Sequence, residues 1–314
     1  MGYPKRIKWL EGRYANVDGI PFEMPVRTRT SPALWGLFTI DGKQAEAMLP
    51  GEELHAWQVR GRGLLVIAVV NYLDTTIGTY VEFCIGVLVT HGRKPHGRIL
   101  PLILRSRYGT GVYIYDLPVS TEISVKGGLG IWGMPKRQAS LDFHIGPDIV
   151  SSQYDLDGQL VARIDVPRPK WSWVPIRMNG IGWGADFRGL LTKSYIYARG
   201  GHSGVRIRPH RARLVLGDHP RAEALKQLDI NPRPVATGFV PRMDAVLDDH
   251  VESWYLTATE PLGAPAVGIA DVAQLSLSQQ WLNPPERARV DAATIAGATD
   301  TSSANEDESE PSRS

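Results

Sequence analysis

One lysine in this chain follows a run of small and apolar residues, a setting in which an amine can lose its proton. The eight residues run from Gly130 to Arg137, and the lysine is Lys136. A lysine amine in water has a pKa near ~10.4, so only about one amine in a few thousand is neutral at pH 7. Burial and a neighbouring cation both favour the neutral form, and this segment offers both. Lys136 is therefore a candidate nucleophile.

The glycines before this lysine fit a dinucleotide-binding pattern, but their context argues against that function. The stretch from Gly128 to Gly133 reads G-x-G-x-x-G. A dinucleotide-binding unit continues into a helix after the last glycine, whereas here Pro135 follows two residues later and β-type residues resume at Ala139. We interpret the glycines as positions where the backbone passes close to a packed strand or a ligand.

A second candidate is Glu82, which lies in the otherwise apolar stretch Tyr80 to Ile85. Because side chains alternate along a strand, Tyr80, Glu82 and Cys84 share one face. An unpaired buried carboxylate is very costly, so Glu82 must be paired, hydrogen-bonded, protonated or exposed to a wet cavity. The strand alone leaves a structural ion pair and a functional carboxylate equally open.

Two stretches are strongly basic. Residues 205–213 alternate like a strand with one basic face, and residues 91–98 form a basic loop. Solvated surface is the first interpretation of both, and an acidic partner or substrate, such as a phosphate-bearing carrier, is the alternative. The eight histidines show no spacing typical of metal ligands, so we predict no metal site.

The elements that must position these residues are mainly short β-type runs separated by glycine and proline. This spacing predicts a mainly β fold built on an antiparallel sheet, either a barrel or a sandwich. Helices are predicted only over Asp41 to Leu49 and Asp218 to Leu228. The predicted strands are Leu64 to Tyr72, Tyr80 to Thr90, Gly111 to Tyr115, Ile123 to Val125, Ala139 to Ile145, Leu160 to Val166, Leu191 to Ala198 and Arg211 to Leu216.

Composition narrows the function classes. The chain has 314 residues, 43% of them hydrophobic, and a formal net charge of +2, so bulk charge indicates neither a nucleic-acid partner nor a membrane protein. The polar start suggests a cytoplasmic protein. Cys84 is the only cysteine, which excludes an internal disulfide. We expect a single domain over residues 1–285 and a disordered acidic and polar tail over 286–314.

Three blocks of the sequence resemble the acetoacetate decarboxylase superfamily. The stretch Asp74 to Glu82 is similar to the family's Asp-Thr, Gly and Tyr-x-Glu pattern. The stretch Trp132 to Arg137 is similar to its Pro-Lys-Arg block, and Arg213 to Ala245 follows the family's order of a strand, a short helix and a Pro-Val-Ala-Thr run. With a weaker match over Phe38 to Pro50, the likeness covers most of residues 25–260.

The resemblance implies a closed or cone-like antiparallel β-barrel of the α+β type with a few short helices. It places a Schiff-base lysine at Lys136 and a cavity acid at Glu82. On extended backbone Arg137 points away from Lys136, so desolvation should outweigh repulsion in activating the amine. The candidate substrate-binding residues are Arg27, Arg29, Tyr80, Trp132 and Met134.

Two departures from the family pattern bear on the substrate. The family's enzymes place a second glutamate where this chain has Ala68, and they usually carry Gly-Arg-Glu where it has the stretch from Gly128 to Gly130. Fewer charges in the cavity suit a substrate that is larger or less acidic than acetoacetate.

These features predict a lyase that decarboxylates a β-keto acid through an iminium on Lys136, without a metal or organic cofactor. Arg137 would support the amine from behind. The alternatives are Schiff-base aldolase, hydratase or dehydratase chemistry on a keto acid, and a non-catalytic binding barrel. The expected partner is a small keto acid, and the resemblance suggests a homo-oligomer.

Overall fold

The computed structural model describes residues 3–96, 99–187, 189–257 and 275–287. All but two residues of the predicted acidic tail lie outside these ranges, as do Gly97 and Arg98 of the basic loop, so the tail stays a prediction. No helix within the described ranges is long and apolar enough to cross a membrane.

The described residues form mostly strands. The six α-helices are short: α1 (Lys5–Leu10), α2 (Gly42–Ala47), α3 (Leu100–Ile103), α4 (Arg105–Tyr108), α5 (Glu122–Gly127) and α6 (Pro220–Lys226). The strands are β1 (Arg13–Val17), β2 (Ile20–Met24), β3 (Val26–Asp41), β4 (Leu54–Ala56), β5 (Arg62–Tyr72), β6 (Asp74–Thr75), β7 (Tyr80–His91), β8 (Gly111–Val119), β9 (Lys136–Gln138), β10 (Ser140–Leu141), β11 (His144–Ile145), β12 (Ile149–Leu156), β13 (Gln159–Pro167), β14 (Val174–Phe187), β15 (Leu190–Ile207), β16 (Arg213–Leu216) and β17 (Ala236–Tyr255). A π-helical turn, Gly128–Trp132, joins α5 to the segment before β9.

Seven strands close into a barrel, which confirms the predicted fold class. Their order is β7, β5, β3, β17, β15, β14 and β8, and β8 pairs back with β7. Neighbours are antiparallel except at β14 and β8, which pair in parallel. Closure leaves no open edge in this ring, so every strand has two partners.

The two longest strands that the pattern does not predict are β3 and β17, which pair with each other in the ring. Neither has clean alternation, because β3 carries Arg27 and Arg29 near its start and β17 carries Pro241 and several acids. Register shifts near Val240 and Met243 absorb this irregularity. Ring closure supplies both partners for these strands, which local propensity does not reveal.

The two faces of the barrel wall differ in burial. On β5, Leu65, Ile67 and Val69 are fully buried, whereas Val66 and Ala68 between them are half-buried. The buried face packs against the small sheet of β10, β12, β13 and β16. For example, the side chain of Ile164 on β13 lies against Gly36 of β3. This face is therefore the outer one, and we call the other the inner face.

The inner face is identified independently by the segment before β9. The Trp132 indole donates to the backbone oxygen of Asp248 on β17 at 2.5 Å, and Thr192 on β15 donates to the Trp132 oxygen at 2.7 Å. Lys136, four residues later, contacts β7. In the ring, β15 and β17 lie on the opposite side from β7. A segment of five residues can contact both sides only if it lies inside the barrel.

Both predicted helices form, with shorter bounds. Asp41 caps α2 through its side chain, which accepts from the backbone N–H groups of Lys43 and Gln44. At α6 the cap is His219, whose side chain accepts from the Arg221 N–H, and Pro220 occupies the first turn.

Three predicted strands need correction. Ile123 to Val125 lie in helix α5, where Val125 packs into the apolar cluster around the π-helical turn and overrides its β propensity. Residues 139–145 hold the two short strands β10 and β11 instead of one. The basic stretch 205–213 is not a single strand, because β15 ends at Ile207 and Arg208 turns the chain with a φ of 44°.

Candidate active site

Lys136 is positioned by a turn that crosses the inside of the barrel. Helix α5 runs into the π-helical turn, and Gly133 ends that turn in the left-handed region with a φ of 62°. The chain then extends into β9, which pairs in parallel with β8 so that Lys136 lies beside Leu117. Single π-helical turns often occur at functional sites, because they redirect a side chain without breaking the helix.

Gly128 leaves room for the aliphatic part of the lysine. A Cβ atom at this position would lie 2.1 Å from Cδ of Lys136 and 2.7 Å from its Cε. The lysine stem therefore runs directly against the backbone of the π-helical turn. Any side chain at Gly128 would force the amine to move.

The Lys136 amine reaches a carboxylate inside the barrel. Its Nζ lies 2.7 Å from Oε2 of Glu82, and the two side chains are only 2% and 13% exposed. The same Nζ lies 5.2 Å from the centre of the Tyr80 ring. The amine therefore has a carboxylate oxygen within hydrogen-bond distance in a site that is shielded from bulk water.

Tyr72 fixes the other oxygen of that carboxylate. Its hydroxyl donates to Oε1 of Glu82 at 3.1 Å, and its ring lies 4.6 Å from that of Tyr80. Burial, reinforced by the Glu82 carboxylate, raises the pKa of Tyr72 and of Tyr80 well above the ordinary value. Both phenols therefore stay protonated, and Tyr72 acts as a hydrogen-bond donor.

The inner wall around this pair is apolar. Ala68 lies opposite Cys84, and Val70 lies opposite Glu82, across β5 and β7. Trp35 of β3 lies beside Ala68, and these residues are half-buried although they face the inside of a closed ring. These residues therefore keep reachable surface on the inner wall beside Glu82. Burial, with Glu82 as a smaller cause, raises the pKa of the Cys84 thiol, which stays neutral.

Arg137 points to the outer face, as extended backbone requires. Its Nε donates to Oδ1 of Asp116 at 2.9 Å, and the Tyr154 hydroxyl donates to Oδ2 of the same carboxylate at 3.1 Å. A second guanidinium, that of Arg221, lies 3.6 Å from Asp116. Asp116 is buried and lies opposite Ile85, which belongs to the outer face.

The five predicted substrate-binding residues fall in different places. Tyr80 lies beside the amine, and Met134 lies next to Gly182, where an added Cβ would be 3.2 Å from its Cε. Trp132 is buried in the cluster beneath the pair. The structure does not bring the two arginines to the amine, since Arg27 forms a 2.6 Å ion pair with Glu11 at the surface and Arg29 is exposed.

The sequence does not indicate two residues of this arrangement, Tyr72 and Asp116, and for Gly128 it predicts a close approach of the backbone but not the partner. Alternation along the predicted strand could have indicated Tyr72, because it lies on the same face as Ala68 and Val70. It is also the last residue before the chain turns back to Tyr80. Asp116 directly follows the predicted strand Gly111 to Tyr115, at a position that strand alternation places on the buried face. A buried carboxylate needs a partner, so this position predicts an ion pair or a hydrogen bond. The contact of Gly128 with Lys136 depends on the π-helical turn and has no signal in the residue types alone.

The described residues thus form a closed β-barrel with a buried lysine and glutamate paired on its inner wall. Residues 14–172, just over half of the chain, match the acetoacetate decarboxylase family. The chain belongs to that family. No curated protein sequence matches it significantly.

Solved structures share the fold at low sequence identity. Acetoacetate decarboxylase from Legionella pneumophila superimposes with a TM-score of 0.54 and 16% identity, covering 73% of this chain and 88% of that one. An acetoacetate decarboxylase-like enzyme from Sphingomonas wittichii gives 0.53 and 12%, covering 74% and 94%. The enduracididine biosynthesis enzyme MppR, complexed with pyruvate, gives 0.51 and 13%, covering 74% and 90%.

Proposed function

We propose that this protein is a Schiff-base-forming lyase that decarboxylates a β-keto acid, with Lys136 as its nucleophile. The supporting observation is the 2.7 Å contact between the Lys136 amine and the Glu82 carboxylate on the inner wall of the barrel. The amine is shielded from bulk water and has a proton acceptor within hydrogen-bond distance, which is the geometry that a general base requires.

The reaction begins when Glu82 takes a proton from the amine and neutral Nζ attacks the ketone carbon. Loss of water from the resulting carbinolamine leaves an iminium. The bond between the α-carbon and the carboxylate then breaks, carbon dioxide leaves, and its bonding electrons pass to the nitrogen through an enamine. The proton that Glu82 took from the amine leaves with the carbinolamine oxygen as water, so Glu82 takes up a second proton from solvent and delivers it to that carbon. Hydrolysis then releases the ketone and the protonated amine.

The inner wall favours a substrate with an apolar body. Trp35, Ala68 and Val70 present no charge to the enclosed space, and position 68 lacks the acid that the family's enzymes carry. A substrate carboxylate loses hydration in such surroundings, and charge dispersal on loss of carbon dioxide relieves that cost. We therefore propose a β-keto acid that is larger or less polar than acetoacetate.

A second candidate keeps the iminium but uses it for aldol, hydratase or dehydratase chemistry on a keto acid. Ala68 favours it, because removing an acid from the cavity removes a group available to the decarboxylation cycle. The fold shared with MppR complexed with pyruvate is compatible with it. A binding barrel without turnover is disfavoured, since a purely structural role for Lys136 gives no reason to hold the amine beside reachable space.

Borohydride trapping tests the nucleophile. The full chain is incubated with a panel of β-keto and α-keto acids, reduced, digested and analysed by peptide mass. We expect an adduct on Lys136 that disappears in Lys136→Ala. Lys126→Ala is the matched control, because Lys126 is equally buried at 3% exposure but pairs with Asp18 at 3.6 Å.

The outcomes separate the candidates. An adduct on Lys136 with carbon dioxide release supports decarboxylation, and an adduct without release supports the second candidate. Absence of an adduct across the whole panel, or trapping that persists in Lys136→Ala, would contradict both.

A further inference from the structure

A large cleft lies on the outer side of the barrel, away from the Lys136 site. It has a volume of about 800 Å³. Its floor includes Phe239, which pairs with Leu34 of the outer face, and Arg206, which pairs with Thr237 on the same side of β17. The barrel wall therefore separates this cleft from the cavity that holds the amine.

The cleft is strongly positive. One carboxylate lines it, that of Asp148. No ion pair involving the lining cations occurs among the described residues, and all are exposed. The lining side chains with positive or titratable basic groups are Arg168, Lys170, Arg206, Arg208, Arg211 and His210. Grouped like charges repel one another, so this arrangement is stabilised by an anion.

The cleft is also rigidly built. Gly204 allows residues 167–172 to cross β15 closely, since a Cβ there would lie 2.4 Å from Cβ of Pro169. On the other side, Arg208 turns the chain with a φ of 44°, a conformation that non-glycine residues rarely adopt, and its N–H donates to Val235 at 3.0 Å. Five prolines in the lining restrict the backbone further. A preformed site loses less freedom on binding.

We propose that this cleft binds a small ligand carrying two or more phosphate groups. Arginine predominates among the cations, and its planar fork matches phosphate oxygens in pairs. Five permanent positive charges against one carboxylate call for a ligand with several negative charges. The volume falls within the range typical of small-molecule sites, whereas a nucleic acid needs an extended basic surface instead of a cleft.

Isothermal titration of the full chain with sodium tripolyphosphate, and separately with ADP, tests this site. Arg206→Gln/Arg211→Gln removes two cleft charges without breaking an ion pair. Arg177→Gln/Arg213→Gln removes two exposed charges that do not line the cleft, and it is the matched control. We expect the cleft variant to bind at least about tenfold more weakly, and the control to bind like the natural chain.

The two probes distinguish the source of the phosphate groups. Tighter binding of ADP than of tripolyphosphate indicates a nucleotide, and equal or weaker binding of ADP indicates recognition of the phosphates alone; both results support the site. The proposal is overturned if neither probe binds the natural chain or if the control weakens binding as much. It is also overturned if a single-stranded RNA binds more tightly than both probes and is weakened equally by both variants. Because no turnover is measured, failure here leaves the Lys136 proposal intact.

Discussion

Two buried clusters of charged groups lie back to back across the barrel wall. On the inner face, Lys136 pairs with Glu82 and Tyr72 completes the cluster. On the outer face, Arg137 pairs with Asp116, with Tyr154 in the same role as Tyr72. Each cluster combines a carboxylate, a phenol and a cation from β9, and Arg221 adds a second cation to the outer one.

The chemical difference lies in the cation. A guanidinium keeps its proton at any pH a protein meets, so the outer cluster is a permanent ion pair that fixes β9 to β8. In the proposed reaction, by contrast, the Lys136 amine gives its proton to Glu82 and becomes the nucleophile. The wall thus separates a permanent ion pair on its outer face from the proposed nucleophile on its inner face, and the outer pair contributes by holding β9 in place.

The largest expected effect comes from removing the cation on the inner face. Lys136→Ala should reduce turnover by at least about a thousandfold, because the covalent intermediate no longer forms. Arg137→Lys should retain most turnover, since a lysine can still pair with Asp116. Steady-state kinetics on the substrate found by trapping give both values. Equal losses in the two variants would show that Arg137 acts on the amine directly.

Removing the inner carboxylate tests the proton acceptor. Glu82→Gln keeps the shape of the side chain and its contact with Tyr72 but cannot take a proton. We expect kcat to fall by about 10²–10⁴-fold, the range typical of general acid–base catalysis. Asp116→Asn on the outer face is the matched control for loss of a buried carboxylate. Similar kcat losses in both would contradict the division between the two clusters.

The sequence predicts which of the candidate residues share a face of a strand, but it does not predict every residue that contacts them. Alternation along β7 places Glu82 with Tyr80 and Cys84, and alternation along β9 separates Lys136 from Arg137; both follow from the period of a strand. The Tyr72 bond to Glu82 depends on the register between β5 and β7 instead. Register is set by tertiary pairing, which residue types indicate only weakly.

The sequence predicts a mainly β fold, but it does not predict every strand of the barrel. Runs of β-branched residues mark β5, β7 and β13, because both their faces pack on apolar groups. In β17, Pro241 and the acids interrupt that pattern, and the strand forms because β3 and β15 on either side satisfy its backbone. Pairing with strands that are distant in sequence cannot be predicted from the local residue types.

Displacing the lysine without removing it should give an intermediate effect. Gly128→Ala places a methyl group where the Lys136 stem runs, so the amine must move away from Glu82. We expect kcat to fall by about 10–100-fold, since small misplacements of reacting groups cost about this much.

Gly130→Ala is the control for this change. It lies in the same π-helical turn, but its Cβ would meet Val17 at 2.3 Å and not the lysine. It should lower stability with little change in kcat of the folded fraction. If both variants reduce kcat equally, the turn as a whole and not the lysine stem is responsible.

Breaking the outer cluster should affect stability more than chemistry. Asp116→Ala leaves Arg137 and Tyr154 without their acceptor in a buried site. Loss of one partner of a buried pair typically costs about 3–5 kcal/mol of unfolding free energy, and the partial exposure of Arg137 places this case at about 3 kcal/mol. Urea unfolding measures it. Stability unchanged within about 1 kcal/mol would show that the pair is not a fixed structural element.

The smallest expected effect is that of Tyr72→Phe on the inner face. The variant loses one hydrogen bond to Glu82 and keeps the ring stacked on Tyr80. A hydrogen bond to a charged group contributes about 1.5–3 kcal/mol. Because Glu82 keeps its contact with Lys136 in this variant, we expect the low end of that range, a fall in kcat of about tenfold. Tyr154→Phe is the control, because it removes the equivalent bond from the outer cluster and should leave kcat nearly unchanged.

The pH dependence of stability gives this variant a second readout. Because the pKa of Tyr72 is raised in the fold, an unfolded chain releases its phenol proton first, near pH ~10. Unfolding therefore becomes easier as pH rises above that value, since the unfolded state then binds fewer protons than the folded one. Tyr72→Phe removes one such group, so its unfolding free energy should fall less steeply between about pH 9.5 and 11 than that of the natural chain. An equally steep fall in Tyr72→Phe would show that the buried phenol ionises freely, and then its hydroxyl would not be the fixed donor that orients Glu82.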